Sequence, residues 1–392
     1  MEKKSKKKAI PIEIMQGKLY WVSDKEPPRS SSSAYYFCID DALVYNPFWK
    51  DFGPLNIAMV HKFCKELEKL INGKTYSKYK IYHYTSLDKE KQANAAFLMG
   101  AFMIIVLKYN AADAWKVFAD SSLSFKPFRD AIMGESTYKC TIEHCLNGLY
   151  FGIKLGWYEY ESFDTKKYEK YEKVENGDMN WIVPNKFLAF AGPSKKKYDE
   201  NGYRQYTPED YCPIFKKFGI EVVVRLNSKK YDEQIFIDGG FDHLDIPFED
   251  GTIPPEKIIK KFLIKAEETE GGIAVHCKAG LGRTATLIGL YCMKHYGIPA
   301  AAFIGWARIM RPGSVLGPQQ FFLNEVEDEY VKAGGSEEKR EALVKEMGSL
   351  TLEESKVSMG SMSPYEKKIL LEGDKGQARR LKEKKAGFAN KG

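Results

Sequence analysis

Several things the sequence lacks narrow it before anything it contains does. No apolar run is long enough to cross a membrane. The longest, residues 95–107, stops at Lys108, where a span needs about 20 apolar residues, so a buried core helix and no membrane span are expected. The basic start, MEKKSKKKAIPIEIM, is not followed by the apolar segment of a secretory leader. The seven cysteines, Cys38, Cys64, Cys140, Cys145, Cys212, Cys277 and Cys292, are odd in number, scattered and without metal-ligand spacing. That argues against a disulfide framework or a cysteine-held metal and for an intracellular, reducing compartment. No metal or other cofactor is expected. Nothing marks a nucleic-acid-binding fold, although the formal net charge is +7. Much of that excess lies at the ends, in Lys3, Lys4, Lys6, Lys7 and Lys8 and in Arg379, Arg380, Lys382, Lys384 and Lys385. Such clusters act as nuclear addresses or touch anionic surfaces, and they are equally the ordinary composition of a solvated, disordered terminus.

What is present suits a globular α/β protein. Hydrophobic residues make up 44% of 392 positions, enough for a sizeable core, and the length suits two domains at about 100–200 residues each. The first stretch alternates strand and helix, with a strand at 80–84, a helix at 93–108 and another starting at 111–118. Residues 155–178 are rich in Tyr, Glu and Lys and read as a charged linker helix. A second α/β pattern follows, with strands at 182–191, 221–226 and 272–276 and helices at 255–266, 284–295 and 299–310. Beyond about 335 the residues turn polar, and a largely disordered tail with some helix is expected. The two patterns echo one another. The strand 81–84 and the helix after it match the strand 274–277 and its helix, with Tyr84 where the second copy has Cys277. The first copy also has no glycine loop. We read two copies of one fold, only the second equipped for chemistry. The plain alternative is two unrelated domains sharing common supersecondary grammar.

The chemistry centres on Gly272 to Thr284, GIAVHCKAGLGRT, a buried strand feeding a tight loop that feeds a helix. Phosphate needs many donors converging on its oxygens, and backbone N–H groups supply them when a loop wraps the anion at a helix N-terminus. Lys278, Ala279, Gly280, Leu281, Gly282, Arg283 and Thr284 would form that wrap, Gly280 and Gly282 permitting positive φ and close approach. Arg283 can offer a planar fork to two phosphate oxygens, which a lysine cannot. A helix N-terminus can bring a cysteine from pKa ~8.5 to ~3.5–7.5, so Cys277 is the expected nucleophile. Thr284 is expected to donate its hydroxyl to the sulfur. His276 is expected to orient the loop rather than act as a base, because a thiolate needs none. A buried cysteine beside a turn, the plain alternative, leaves Gly280, Gly282, Arg283 and Thr284 unexplained together. The leaving alkoxide needs a proton, and a carboxylic acid on a mobile loop would supply it. Of Asp242, Asp245 and Asp250, the last stands before Gly251 in a loop and is the expected general acid.

At these residues the sequence resembles the cysteine phosphatase superfamily, and more widely the cell-division-cycle-fourteen dual-specificity phosphatases of mitotic exit. The resemblance runs through TSLDKEKQANAAFL, PFRDA, ENGDMNWIVPNKFLAFAGP, GFDHLDIPFEDGTIPP, EGGIAVHCKAGLGRT and RPGSVLGPQQFFL, roughly residues 15–335. It implies two tandem dual-specificity-phosphatase-like domains, each a central mixed sheet flanked by helices, joined by a linker helix. The expected organisation is a basic tail at 1–8, a non-catalytic domain at 9–161, an acidic linker helix at 162–177, a catalytic domain at 178–335 and a polar tail at 336–392. It implies a protein phosphatase for phosphoserine before proline and for phosphotyrosine, acting through Cys277, Arg283 and Asp250 on phosphorylated proteins, cyclin-dependent kinase targets among them. It also implies the nucleus or cytoplasm, with centrosome or basal body in view, and an acidic groove of Glu169, Glu172 and Asp178 that favours a basic residue downstream of the phosphoserine. Glu169 and Glu172 are three apart and share a helix face, but Lys166, Lys167, Lys170 and Lys173 interleave with them, as on an ordinary solvated face. Gln319 or Gln320 is where a water-orienting glutamine would lie. One departure is Ala285, where the family usually has glycine; alanine is the better helix former.

Two competing readings stand beside this one. A phosphoinositide phosphatase shares a very similar loop, but the position of its second basic residue here holds Leu281. A catalytically weak scaffold that binds phosphoproteins would be expected to have lost one of Cys277, Arg283 and Asp250, and all three are present.

Overall fold

The computed structural model describes residues 10–199, 202, 204–348, 357–374 and 376–389; the lysines at positions 3–8 fall outside the described residues. In the first half, β1 (Ile12–Met15) and β2 (Leu19–Ser23) form an antiparallel hairpin. β3 (Ala34–Cys38) and β4 (Lys80–Thr85) complete a sheet of order β1-β2-β4-β3, parallel apart from the hairpin. α1 (Ile57–Asn72), α2 (Lys89–Ile105), α3 (Ala111–Ala119) and α4 (Ile142–Lys154) accompany it. α2 is apolar on every side because it is enclosed on every side: all of its residues from Ala95 to Ile105 are buried.

The expected linker helix is only α5 (Thr165–Glu172). Asp164 caps its start by accepting from the Lys167 N–H, and a 3-10 turn, Val174–Asn176, follows its end. Gly177 and Asp178, at φ 109° and 47°, then turn the chain into the second sheet. The single strand expected over 182–191 is a hairpin instead, β5 (Met179–Val183) and β6 (Phe187–Phe190), turned at Asn185 with φ 61°. Its residues are mostly buried on both faces, so no alternation marked the turn.

There follow α6 (Pro208–Lys217), β7 (Ile220–Arg225), α7 (Gln234–Asp238), β8 (Asp242–Asp245), α8 (Glu256–Glu268), β9 (Gly272–His276), α9 (Gly282–Tyr296), α10 (Ala300–Met310) and α11 (Pro318–Ala333). The sheet order is β5-β6-β9-β7-β8. Hairpin, central strand and parallel neighbour match the first sheet position by position, and β8 is an added edge. The chain is thus an α/β protein of two like units, each a mixed sheet with helices around it.

The halves meet where α4 crosses α10. A Cβ on Gly148 would lie 2.3 Å from the Ala302 carbonyl oxygen, one on Gly152 2.3 Å from the Trp306 ring, and one on Gly305 2.5 Å from the His144 oxygen. Trp306 donates from Nε1 to the Ile182 oxygen at 2.9 Å, and one apolar core runs from Trp21 in β2 to Val275 in β9.

The polar tail departs from expectation. Its described residues form α12 (Glu337–Met347), α13 (Pro364–Glu372) and α14 (Gln377–Ala389) rather than a disordered chain. Part of its apolar surface is enclosed: Met347, Met362, Ile369 and Leu381 are buried, whereas Leu371 stays exposed. Glu366 is enclosed too, accepting from the Thr137 N–H and hydroxyl at 3.2 and 2.6 Å.

Candidate active site

β9 delivers Cys277 to the mouth of the second sheet. The loop after it turns at Gly280, whose φ is 67° and whose Cβ, if it had one, would lie 2.0 Å from the Phe190 oxygen. α9 then begins with no side-chain cap, so the N–H groups of its first turn remain available to an anion. The loop carbonyls are turned away and gripped from behind. Arg311, fully buried, donates from Nε to the Gly280 oxygen at 2.8 Å and from Nη2 to the Ala279 oxygen at 2.9 Å. Its Nη1 reaches Asn180 Oδ1 at 2.6 Å, and Asp178 balances its charge at 2.9 Å. Pinning carbonyls outward leaves the opposite edge of each peptide facing the cavity.

His276 is placed as expected, in support of the loop. Its Nδ1 donates to the Cys277 carbonyl at 2.8 Å, which makes Nε2 the acceptor of the Tyr231 hydroxyl at 2.7 Å. Tyr231 in turn accepts from His243 Nε2 at 3.0 Å. Burial lowers His276 to about 3 and His243 to about 4, so both rings are neutral at physiological pH and the proton order of the chain is fixed.

Cys277 is 2% exposed and lines a void of about 10 Å³ with Asp250, Gly282, Gln319 and Leu381. Beside it opens a cleft of about 770 Å³ lined by Lys195, Lys230, Asp250, Lys278, Arg283 and Lys382, among others. Arg283 donates from Nη1 to the Leu226 and Phe248 oxygens at 3.1 and 2.7 Å, and its Nη2 lies 3.1 Å from Asp250 Oδ1. Its Nε is buried with no partner, so the Nε–Nη2 edge, the edge that forks onto an oxyanion, is the one not committed to backbone. Burial raises the Asp250 carboxyl, against the pull of Arg283, which suits a group that must carry a proton. The rival aspartates are engaged elsewhere. Asp245 binds Arg225 at 3.0 and 2.6 Å, and Asp242 pairs with Lys265.

Other expected residues fall less neatly. The Thr284 hydroxyl is buried and makes no hydrogen bond, so the expected bond to the sulfur is not formed. Ala285 is fully buried in the first turn of α9, and Leu281 packs among Phe48, Ile132 and Leu316. The two glutamines separate. Gln319 faces the void, its Nε2 on the Thr252 oxygen at 3.0 Å and its Oε1 unpartnered. Gln320 is turned away, bonded to Asp130 at 2.7 Å and to Arg308.

The three acids do not form one open groove. Glu169 pairs with Lys62. Glu172 accepts from Asn56 and Tyr168 and is raised by burial, with Lys385 the largest opposing influence. Asp178 is 3% exposed and pairs with both Arg311 and Lys385. Burial alone would raise it, but the two cations hold it below its ordinary value. Glu172 and Asp178 both lie in the field of Lys385 from the tail and of Arg311, whereas Glu169 is engaged apart from them. The sequence reading missed Arg311, Asn180, Tyr231 and His243. Arg311 stood in the RPGS segment but carried no sign that it would reach back 31 residues to Gly280.

A strand-end cysteine, an anion-ready loop and an arginine at the helix start define the cysteine-dependent phosphatase class. Two family models match accordingly: "Dual specificity protein phosphatase, N-terminal half" over residues 13–152 and "Polymorphic toxin system, DSP-PTPase phosphatase" over 201–297. The chain is 50% identical over 314 residues to the mouse dual specificity protein phosphatase CDC14A, covering 80% of this chain and 52% of that protein. It is 39% identical to the Caenorhabditis elegans tyrosine-protein phosphatase cdc-14 (80% and 46%) and 38% to the Schizosaccharomyces pombe CDC14 homolog (80% and 60%). The chain belongs to the CDC14 family of dual-specificity protein phosphatases, and spans about half the length of the curated relatives it matches. Among solved structures, kinase associated phosphatase matches at TM-score 0.35 and 16% identity, covering 40% of this chain and 97% of that one. Tk-PTP matches at 0.32 and 20%, covering 38% and 96%.

Proposed function

We propose that this chain hydrolyses phosphoserine and phosphotyrosine in proteins through a cysteinyl-phosphate intermediate. The Cys277 sulfur attacks phosphorus as the ester oxygen leaves, and that oxygen takes the proton held by Asp250. Arg283, released from Asp250, holds two of the phosphoryl oxygens through Nε and Nη2 while the loop N–H groups take the rest. Water held by Gln319 Oε1 then attacks the phosphocysteine and returns its proton to Asp250, freeing phosphate and the thiolate. The observation that carries this reading is the buried, partnerless Nε of Arg283 in the first turn of a helix that no side chain caps, in the loop that follows Cys277.

Glu172 and Asp178 supply the recognition of a basic residue downstream of the phosphoserine, with Glu169 on the rim. That is the chemistry of cyclin-dependent kinase sites, the substrates we propose. Seven free thiols support a reducing, intracellular setting; nucleus, cytoplasm and centrosome are carried by the family alone. Lys195, Lys230 and Lys382 add cations to the cleft, so phosphoinositides belong in the comparison.

The test measures kcat/KM on phosphoserine-proline peptides with and without a downstream lysine, on phosphotyrosine peptides and on phosphoinositides, with and without chelator. Peptides are expected to win, and chelator to change nothing. Each exposed ion pair contributes about 0.2–1 kcal/mol, so the lysine preference is expected to reach roughly tenfold and to shrink in a Glu169→Ala/Glu172→Ala variant and with salt. An undiminished preference would mean that Glu169 and Glu172 do not read the substrate; phosphoinositides as best substrate would replace the reading.

A further inference from the structure

Three of the five residues from Gly313 to Gly317 have positive φ: Gly313 at 84°, Val315 at 58° and Gly317 at 50°. Two are glycines, which adopt such values freely. Val315 is β-branched, and a branched side chain is disfavoured there. A conformation of this kind persists only where its surroundings over-determine it. The segment runs from the loop-gripping Arg311 into α11, whose second residue, Gln319, lines the void beside Cys277. On the way, the Val315 N–H donates to the Leu281 oxygen of the phosphate loop at 3.4 Å.

What holds the segment comes from the other half of the molecule. Asp130, 2% exposed, stands between α3 and α4. Its Oδ2 accepts from the Gly317 N–H and from the Gln320 side-chain amide, both at 2.7 Å. It thus grips the chain on either side of Gln319. No side chain caps α11 from Gly317 itself, so a carboxylate from the first half supplies the negative charge that a helix start favours. Arg308, also buried, completes the clamp. It donates to the Ser314, Val315 and Phe128 oxygens at 3.2, 3.5 and 3.3 Å and to Gln320 Oε1. Ile132, two residues after Asp130, packs with Leu281 and Leu316. Gln319 is then fixed at its tip. Its Nε2 donates to the Thr252 oxygen at 3.0 Å, and Oε1 stands without a partner where a Cβ on Gly282 would meet it at 2.7 Å.

We propose that Asp130, in the half that does no chemistry, is a positioning residue for hydrolysis of the phosphocysteine: it locks the strained segment before α11 so that Gln319 Oε1 is aimed at the attacking water. The inference rests on the phosphatase reading. Attack of the Cys277 sulfur on phosphorus does not use Gln319. Only the second step does: the water oxygen bonds to phosphorus, the P–S bond breaks, its electron pair returns to the sulfur, and the water proton goes to Asp250. A misplacement of about 1 Å in Gln319 is enough to slow that step ~10²-fold.

The experiment follows an aryl phosphate, whose good leaving group makes the first step fast, by burst and steady-state kinetics on the full chain. Because kcat/KM counts only events up to formation of the phosphocysteine, a defect confined to the second step lowers kcat and KM together and leaves kcat/KM and the burst rate unchanged. Asp130→Ala is expected to show this pattern, with kcat lower by ~10–10²-fold. Asp130→Asn should recover most of the loss, since its amide oxygen can still accept from Gly317 while its nitrogen replaces the partnerless Oδ1. Gln319→Ala should show the same pattern, and adding Asp130→Ala to it should lower kcat no further, because Asp130 acts through Gln319. The burst amplitude counts active sites, so the rates are read per folded molecule. If Asp130→Ala does not fold, Gln320→Leu, which removes one of the two bonds, carries the same prediction at smaller amplitude. An unchanged kcat in the variant that folds, a fall in kcat/KM as large as that in kcat, or additive losses in the double variant overturns the proposal while a wild-type burst upholds the phosphatase reading. A wild-type chain with neither burst nor turnover on any phosphorylated substrate overturns that reading, and the proposal with it.

Discussion

The strand-loop-helix unit of β4 and α2 and that of β9 and α9 are the same device in two conditions. In both, a central parallel strand carries a buried histidine at or near its end and points at a helix N-terminus. In the first, that N-terminus is already satisfied by the protein's own carboxylates. Asp88 accepts from the Glu90 and Lys91 N–H groups at 2.8 and 2.9 Å, and Asp40 takes the Ser86 N–H and hydroxyl at 3.1 and 2.8 Å. In the second, no side chain caps α9. His83 and His276 occupy the same register, yet His83 has no hydrogen-bond partner on either ring nitrogen, whereas His276 is tied to Tyr231 and to the Cys277 carbonyl. The first sheet also lacks a counterpart of β8, the strand that leads into the loop of Asp250. The fold alone supplies the anion-binding geometry. Chemistry follows only where that geometry is left unfilled, backed by a polar network and joined by an acid on an extra strand.

The largest test of this contrast is at the strand ends. Cys277→Ser is expected to remove turnover by at least ~10⁴-fold, and adding Tyr84→Cys to that variant is expected to restore none. Turnover recovered through Tyr84→Cys breaks the comparison.

Next comes the acid. Asp250→Ala should cost ~10²–10⁴ in kcat on phosphoserine and far less on an aryl phosphate, whose leaving group barely needs a proton. Because burial raises the Asp250 carboxyl and the protonated form is the working one, the rate should fall as pH rises through that raised value. Asp250→Asn should flatten this alkaline limb. The same pattern in Asp245→Ala, with Asp250→Ala unaffected, would reassign the acid.

Arg311→Met removes the clamp behind the loop and leaves Asp178 with Lys385 alone, at about 3 kcal/mol of stability in denaturant unfolding. Inhibition by inorganic phosphate should weaken with it. Unchanged phosphate inhibition would mean that the loop holds its shape unaided.

The smallest effect sharpens the comparison at the two histidines. His83 and His276 are each held neutral by burial, their pKa lowered from 6.5 to about 3. Their folded values lie below the unfolded one, so the stability they contribute is complete above pH 6.5 and is lost as pH falls toward 3, at about 1.4 kcal/mol per pH unit for each. His83→Leu, removing two unpaired ring nitrogens, should leave neutral-pH stability unchanged or up to about 1 kcal/mol higher and should flatten the acid slope. His276→Leu should flatten the slope as well but reduce turnover. An acid slope in His83→Leu as steep as in wild type would show that this ring does not resist protonation.

The loop from Gly272 to Thr284 was legible because its roles are local: strand, glycines, cysteine, arginine and helix start are consecutive. So was the duplication, since hydrophobic pattern alone repeats it. What escaped depends on partners far apart in sequence. Arg311 finds Asn180 across 131 positions, Tyr231 finds His276 across 45, and Lys385 finds Asp178 across 207. The tail read as solvated because its composition is polar, yet Ile369 and Leu381 find apolar surface that other segments supply. The hairpin at 179–190 hid in the opposite way, apolar on both faces with only Pro184 and Asn185 to mark the turn.

The glycine crossing of α4 and α10 has a consequence for folding cooperativity. Ala302 and Trp306 backbone atoms lie where any side chain at Gly148 would stand, at 2.3 and 2.5 Å, and the apolar core is continuous through this contact. Neither half can shed the other without exposing a face that has no polar coat, so denaturant should reveal a single transition rather than two. Gly148→Ala, far from Cys277, should lower the midpoint of that one transition and thereby destabilise the reactive loop together with the half that does no chemistry.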